Sequence, residues 1–265
     1  MDETVFLKLG GSLLTDKTGV EVVRADVLAR LAVEIAAARQ ARPGLRLVLG
    51  HGSGSFGHVA AARYGTRQGV HTAAEWHGFA DVARAAAALN HLVILALVDA
   101  GIPAIPFPPS ASTHCRDGRI LSLAAAPVRR ALDAGLLPVV YGDVAFDDVR
   151  GGTIVSTEEV MGYLATYLEP RRFLLAGEVP GVLDAQGNVV PVITPANVDD
   201  LRAALGGSRG TDVTGGMASK VQEMLDLTQR ISGLSVRIFS GLEPGLLQGV
   251  LLDHIMAGTI IRGVS

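Results

Sequence analysis

The sequence predicts an α/β protein built on a parallel sheet with crossover helices. Short apolar runs read as buried strands, stretches of helical spacing separate them, and several runs end in glycine-rich loops. Val5 to Leu9 is the first such strand and stops at Gly10-Gly11-Ser12. Lys8 inside it is costly unless a partner meets it. From Arg24 to Gln40 the apolar residues Val27, Leu28, Leu31 and Ile35 recur at helical spacing, and Pro43-Gly44 ends that helix. Leu45 to Leu49 is the second strand, and it runs into Gly50, Gly52, Gly54 and Gly57, bracketed by His51 and His58. A strand feeding such a loop brings backbone N–H groups close to a ligand and makes an anion cradle.

The chain then reads as mostly helical through Ala100, slimmed by Ala80, Ala83 and Ala85 to Ala88 and capped by Gly101. Ile102 to Phe107 is a strand, Asp117-Gly118 a hairpin turn into Arg119 to Leu121, and Ala124 to Gly135 a helix. Leu136 to Tyr141 is a strand that ends at Gly142-Asp143, a place where open α/β sheets hold ligands. Thr157 to Leu168 is a helix stopped by Pro170, and Phe173 to Ala176 and Val189 to Ile193 are strands. Gly206 to Gly216 is expected to be a mobile polar loop opening a helix with Met217, Val221, Met224, Thr228 and Ile231 on one face. Val236 to Phe239, a helix near Pro244 to Leu252, and Thr259 to Ile261 complete the alternation. One domain over 1–265 is expected, with a soft boundary near Glu169-Pro170 between halves 1–170 and 171–265.

Composition excludes several classes of function. A hydrophobic content of 49% over 265 residues argues for a folded core. A net charge of −3 without a basic block argues against nucleic acid as the main partner. The acidic start Met1-Asp2-Glu3-Thr4 is unlike a signal peptide, and the apolar segment Leu92 to Val98 is too short to span a bilayer. Cys115 is the only cysteine, so no intrachain disulfide or cysteine metal site is available. A cytoplasmic protein with no membrane partner is the expectation.

Lysine usage is informative. The chain has three lysines, Lys8, Lys17 and Lys220, against twenty arginines, and all three sit in or beside glycine-rich segments. Lysine is a compact point charge on a flexible stem, suited to following a phosphoryl group in motion. KLGGS with Lys8 and then Lys17, HGSGSFGH with His58, and TGGMASK with Lys220 together supply what phosphoryl transfer demands: donors and cations placed around a transferring group.

Other readings of the same residues are weaker. Gly52-x-Gly54-x-x-Gly57 matches the dinucleotide fingerprint, but Glu75 and Asp81, where an acidic strand end belongs, lie in helical sequence. No Walker A motif and no G-x-S-x-G elbow occurs. His71, Glu75 and His77 do not have the spacing of a zinc helix and read as an exposed polar face, and no metal site is expected from them. His51 reads as a structural histidine. Asp143 either caps a turn or supports the site.

KLGGSLLTDK, HGSGSFGH, PVVYGDV and TDVTGGMASK resemble, in order and over nearly the whole chain, the isopentenyl phosphate kinases of the amino acid kinase superfamily. The resemblance implies a three-layer αβα sandwich around an open, mainly parallel eight-stranded sheet. It implies an acceptor-binding half over 1–170 and a half over 171–265 that binds ATP with Mg²⁺, and a homodimer is expected. The reaction would convert isopentenyl phosphate and ATP into isopentenyl diphosphate and ADP, in an alternative mevalonate route. Carried over by position, Lys8, Gly10 and Gly11 match the nucleotide-phosphate segment and Lys17 the lysine that stabilises the transition state. Ser53 and Gly54 match loop positions touching acceptor and ATP phosphates, His58 the histidine holding the acceptor's phosphate, and Gly216 and Lys220 the ATP-side glycine and lysine.

Two stretches depart from the family. Val155-Ser156-Thr157-Glu158 stands for Ile-Ser-Gly-Asp, so Glu158 takes the place of a lysine-orienting aspartate and Thr157 that of a glycine whose backbone approaches substrate. Glu178-Val179-Pro180-Gly181 stands for Asp-Val-Asp-Gly at the nucleotide site. Fosfomycin-type phosphonate kinases are the nearest alternative, separated by whether an apolar pocket (around Phe79, Val82, Ala83 and Ala86) takes a five-carbon tail. A non-catalytic nucleotide-binding protein of the same fold would have lost the lysines; all three are present.

Overall fold

The computed structural model describes residues 3–16, 18–199, 201 and 216–263, with His58 and Val59 described by their backbone alone. Its centre is an eight-stranded sheet made of β1 (Glu3–Leu9), β2 (Leu45–His51), β3 (Ala104–Pro106), β6 (Leu137–Tyr141), β9 (Arg172–Gly177), β10 (Val192–Ile193), β11 (Ser235–Ser240) and β12 (Thr259–Arg262). The order across the sheet is β10-β12-β11-β9-β1-β2-β6-β3. Neighbours are parallel except β11 and β12. The strands from residues 1–170 lie together on one side and those from 171–265 on the other, joined by the β1–β9 pairing.

Both faces of the sheet are covered, as an all but wholly parallel sheet requires. Side chains alternate along β1, so Val5, Leu7 and Leu9 face one way and Phe6 the other. The first set packs with the short α1 (Gly11–Leu14), with α2 (Ala25–Ala41) and α4 (Ala73–Asp99), and with α8 (Leu246–Leu251). Phe6 meets Phe173 edge to face, with ring centroids 5.8 Å apart, on the side of α5 (Ala125–Asp133), α6 (Thr157–Leu168) and α7 (Gly216–Arg230). These two clusters are the outer interfaces of a three-layer αβα sandwich.

α4 extends far beyond its apolar segment. Over 27 residues it is, by length and composition, long and apolar enough to cross a membrane. Leu89, Val93 and Leu97 are nevertheless buried with α2 and β2. Thr72 and Glu75 form a capping box at its start, and the same Glu75 accepts the His71 N–H at 2.8 Å. The polar residues around His71 therefore serve the helix end, as their exposed-face reading expects.

The periodicity of the sequence does not reveal a second, four-stranded sheet in the order β5-β4-β7-β8. It consists of β4 (His114–Arg116), β5 (Arg119–Ser122), β7 (Asp143–Asp147) and β8 (Gly151–Val155). Asp117 (φ 49°) and Gly118 (φ 75°) make the β4–β5 turn expected from sequence. The Asp147 carboxylate holds it by accepting the N–H groups of Asp117, Gly118, Val149 and Arg150.

One glycine within α6 has no evident task. A Cβ at Gly162 would meet nothing within 4 Å, and its φ is not in the left-handed region. Gly162→Ala is expected to raise stability by ~0.5–1 kcal/mol, the usual gain at an unstrained helix interior. Denaturant unfolding measures it, and a loss of stability would show that the space is not free.

Candidate functional site

The parallel strands β11, β9, β1, β2 and β6 are neighbours, and glycine stands at or just beyond the carboxyl end of each. These are Gly241, Gly177, Gly10-Gly11, Gly52 and Gly142. That edge of the sheet is therefore lined by backbone with little side-chain cover, in the position where open α/β sheets bind ligands.

The β1 and β2 loops touch backbone to backbone. A Cβ on Gly52 would come within 2.7 Å of the Gly11 nitrogen, and one on Gly54, whose φ is +50°, within 2.6 Å of the Gly11 oxygen. Thr15, fully buried, joins the two loops: its hydroxyl donates to the Gly11 carbonyl at 2.8 Å and accepts the Ser55 N–H at 2.9 Å. Thr15 lies within KLGGSLLTDK, but nothing in the sequence shows that it ties this loop to the next. α3 (Gly54–Tyr64) begins at the loop, which places the backbone of His58 within its first two turns.

Lys8 finds the partner that its place in an apolar strand demands. Alternation turns it to the α6 side of the sheet, where its Nζ lies 2.8 Å from Glu158 Oε1 with both side chains nearly buried. The Lys220 Nζ, from α7, lies 3.7 Å from the same oxygen. One carboxylate thus gathers two of the three lysines. Burial on its own would raise the Glu158 carboxyl, but the two ammonium groups and the Lys8 hydrogen bond hold it down at about 2.

The first turn of α6 makes one further commitment. Thr157, also buried, donates its hydroxyl to the His51 carbonyl at 2.7 Å. Its side chain is therefore spent on the end of β2. His51 itself is a buried structural group, hydrogen-bonded to Asn90 and stacked on Tyr141 with ring centroids 5.4 Å apart. Burial, with a smaller effect from Lys8, keeps its imidazole below the ordinary histidine range. Asp143 is also buried; it accepts the Ser110 and Val144 N–H groups, and burial pushes its carboxyl up. Glu178, beyond β9, pairs with Arg24 at 3.0 Å.

Ser53 is the N-cap residue of α3 and Gly216 the first residue of α7. Lys17, the His58 side chain and the predicted loop as far as Gly215 lie outside the described residues. Among the described residues no three His, Cys, Asp or Glu converge as a metal site.

An αβα sandwich whose glycine loops border a buried lysine–carboxylate pair joined by a second lysine is the architecture of a phosphoryl-transfer protein. The chain belongs to the amino acid kinase family, whose model matches residues 3–240. Within that family it is similar over its length to isopentenyl phosphate kinases. It is 42% identical to that of Haloferax volcanii, with 98% of each chain covered, and 34% identical to that of Methanothermobacter thermautotrophicus, with 98% of this chain and 99% of the relative covered. A solved isopentenyl phosphate kinase structure superposes with a TM-score of 0.82 at 30% identity, covering 98% of this chain and all of the other.

Proposed function

We infer that this protein phosphorylates isopentenyl phosphate at the expense of ATP, forming isopentenyl diphosphate and ADP. Full-length similarity to isopentenyl phosphate kinases carries the reading, and the Lys8–Glu158–Lys220 centre gives it a chemical basis. ATP supplies the transferable phosphoryl group. Such transfer asks the protein mainly for positioning and charge stabilisation.

Lys8 and Lys220 are suited to the nucleotide's phosphates, with Gly10, Gly11, Gly54 and Gly216 allowing close backbone approach and Glu178 on the nucleotide side. Glu158 keeps the two lysines from repelling each other before ATP arrives. Lys17 is assigned to the transferring group, and His58 to the acceptor's phosphate together with Ser53, Gly54 and the Thr157 backbone. Asp143 supports the site by tethering Ser110 to the strand end. Mg²⁺ would be carried on the nucleotide's own phosphates, as is usual where this cation serves phosphoryl transfer.

The acceptor's tail calls for apolar surface near α3. Phe79, Val82 and Ala83 cluster there with Ala60, Val70, Val144 and Ile154, and Phe79 packs against Trp76 and Phe146 with centroids 5.2 Å and 5.4 Å apart. A homodimer is supported by exposed Leu95 and Val98 on α4 and exposed Ile105 on the edge strand β3. The single, buried Cys115 agrees with a reducing cytoplasmic setting.

The test is a coupled ADP-release assay over isopentenyl phosphate, dimethylallyl phosphate, longer prenyl phosphates, fosfomycin and N-acetylglutamate, with the product identified by phosphorus NMR. ADP release with a diphosphate product from isopentenyl phosphate is expected. Turnover of fosfomycin or N-acetylglutamate in its place would overturn the reading.

A further inference from the structure

Three successive residues at the start of α6 reach three different parts of the molecule. Thr157 holds the end of β2, and Glu158 holds Lys8 and Lys220. Glu159, turned about 100° further round the helix, faces the connection between α3 and α4. There the Arg67 guanidinium grips it at two points: Nη2 donates to Oε1 at 2.9 Å and Nη1 to Oε2 at 3.4 Å.

Arg67 is itself fixed. Its Nη1 also donates to the Ile154 carbonyl at 3.2 Å, near the end of strand β8 just before α6. Its own carbonyl accepts from Arg150 Nη1 and Thr153 Oγ1, both at 3.1 Å. Glu159 is also the N3 member of the α6 capping box, accepting the Ser156 N–H at 2.5 Å. The segment leading out of α3, the helix that carries His58, is thereby bolted to the turn that carries Glu158. The contact extends toward the nucleotide half. Glu223 on α7 has its carboxyl raised by burial and by Glu158 and Glu159, and Arg67 and Lys220 oppose that rise.

We propose that Arg67 is a positioning residue for phosphoryl transfer: through Glu159 it fixes the first turn of α6, and with it the direction in which Glu158 presents Lys8 and Lys220. The pair is partly exposed, with side chains 44% and 31% accessible, and so contributes little to stability. Its effect lies in geometry, because small misplacement of a catalytic group is costly in rate. This role rests on reading the centre as a phosphoryl-transfer site.

A double-variant cycle in kcat tests it on the full chain. Glu159→Gln keeps one oxygen as the capping acceptor and loses the charge and the second acceptor that Arg67 grips, so Glu159→Gln and Arg67→Met should each lower kcat about tenfold, with the KM for ATP within about twofold of wild type. Combining them should add no further loss, and Arg67→Lys should recover part of it by restoring one charged contact. Thermal transitions should stay near the wild-type value. Wild-type kcat in Arg67→Met would overturn the proposal. So would losses that multiply in the double variant, or a loss that follows a fall in thermal stability and is not relieved by Arg67→Lys. Absence of wild-type turnover with every phosphate acceptor would instead refute the reading of the site on which the proposal stands. A working wild type with a multiplicative cycle would refute the role of Arg67 alone.

Discussion

Glu158→Gln is expected to lower the melting temperature of the ligand-free protein and kcat together, and ATP is expected to restore the first but not the second. The variant removes the carboxylate charge that the Lys8 ammonium, nearly buried at 9% side-chain exposure, pairs with at 2.8 Å and that Lys220 faces at 3.7 Å. Breaking such a pair from one side costs ~3–5 kcal/mol. Taking about 3 kcal/mol, because some solvent reaches both groups, gives a fall of roughly 6–12 °C for a chain of this size. If the triphosphate replaces the missing carboxylate, ATP should stabilise the variant more than the wild type, in addition to the ordinary mass-action gain. kcat should still fall by about 10²-fold, the scale of losing one preorganised electrostatic element. Removing both partners in Lys8→Met/Glu158→Gln should recover stability without recovering turnover.

The pH dependence has a definite sign. The Glu158 carboxyl is held down from 4.5 to about 2, so the pair's stabilisation is complete above 4.5 and is lost as pH falls through 2. The stability gap between wild type and Glu158→Gln should be constant from neutral pH down to about 5 and close below it. A gap that is absent at pH 7, or an ATP shift no larger in the variant, would reduce Glu158 to a helix-start charge.

How much of this was legible in the sequence follows from which interactions leave a periodic trace. β1, β2, β6 and β9 are buried on both faces, so their apolar runs stand out. Lys8 stood out by violating that pattern, and the violation implied a partner; the family resemblance indicated where along the chain that partner lies. The small sheet left no such trace. β7 begins and ends in aspartate, β8 starts with Gly151-Gly152, and β4 and β5 are three and four residues long. What holds them is Asp147 accepting backbone N–H groups, a side-chain-to-backbone pattern with no fixed spacing. The tasks of Thr15 and Arg67 leave no trace for the same reason, since each acts through a hydrogen bond to a distant segment. Glu178 stood out only as a departure from a motif, and its pairing with Arg24 at the head of α2 could not be read from either segment alone.

Gly11→Ala is expected to be the most damaging small substitution in the β1 loop, because the obstacle is backbone. A Cβ there would lie 2.7 Å from the Gly54 Cα and 3.2 Å from the Gly52 carbonyl carbon, and neither can swing aside as a side chain would. The loops after β1 and β2 must part. The first is the proposed nucleotide-phosphate segment and the second the proposed acceptor cradle, so separating them lengthens the distance that the phosphoryl group must cross. A displacement of about 1 Å between reacting groups costs on the order of 10²-fold in rate, and overpacking costs ~1–3 kcal/mol in stability. Gly10→Ala is the internal control. Its Cβ would meet the Ala176 oxygen at 3.3 Å, a contact that a shift of a few tenths of an ångström relieves, so it should keep roughly tenfold more kcat/KM than Gly11→Ala. The KM values for both substrates should rise in Gly11→Ala, since the junction belongs to neither site alone. If Gly11→Ala keeps wild-type kcat/KM, or if Gly10→Ala is the worse of the two, the contact between the two glycine loops does not set the transfer distance.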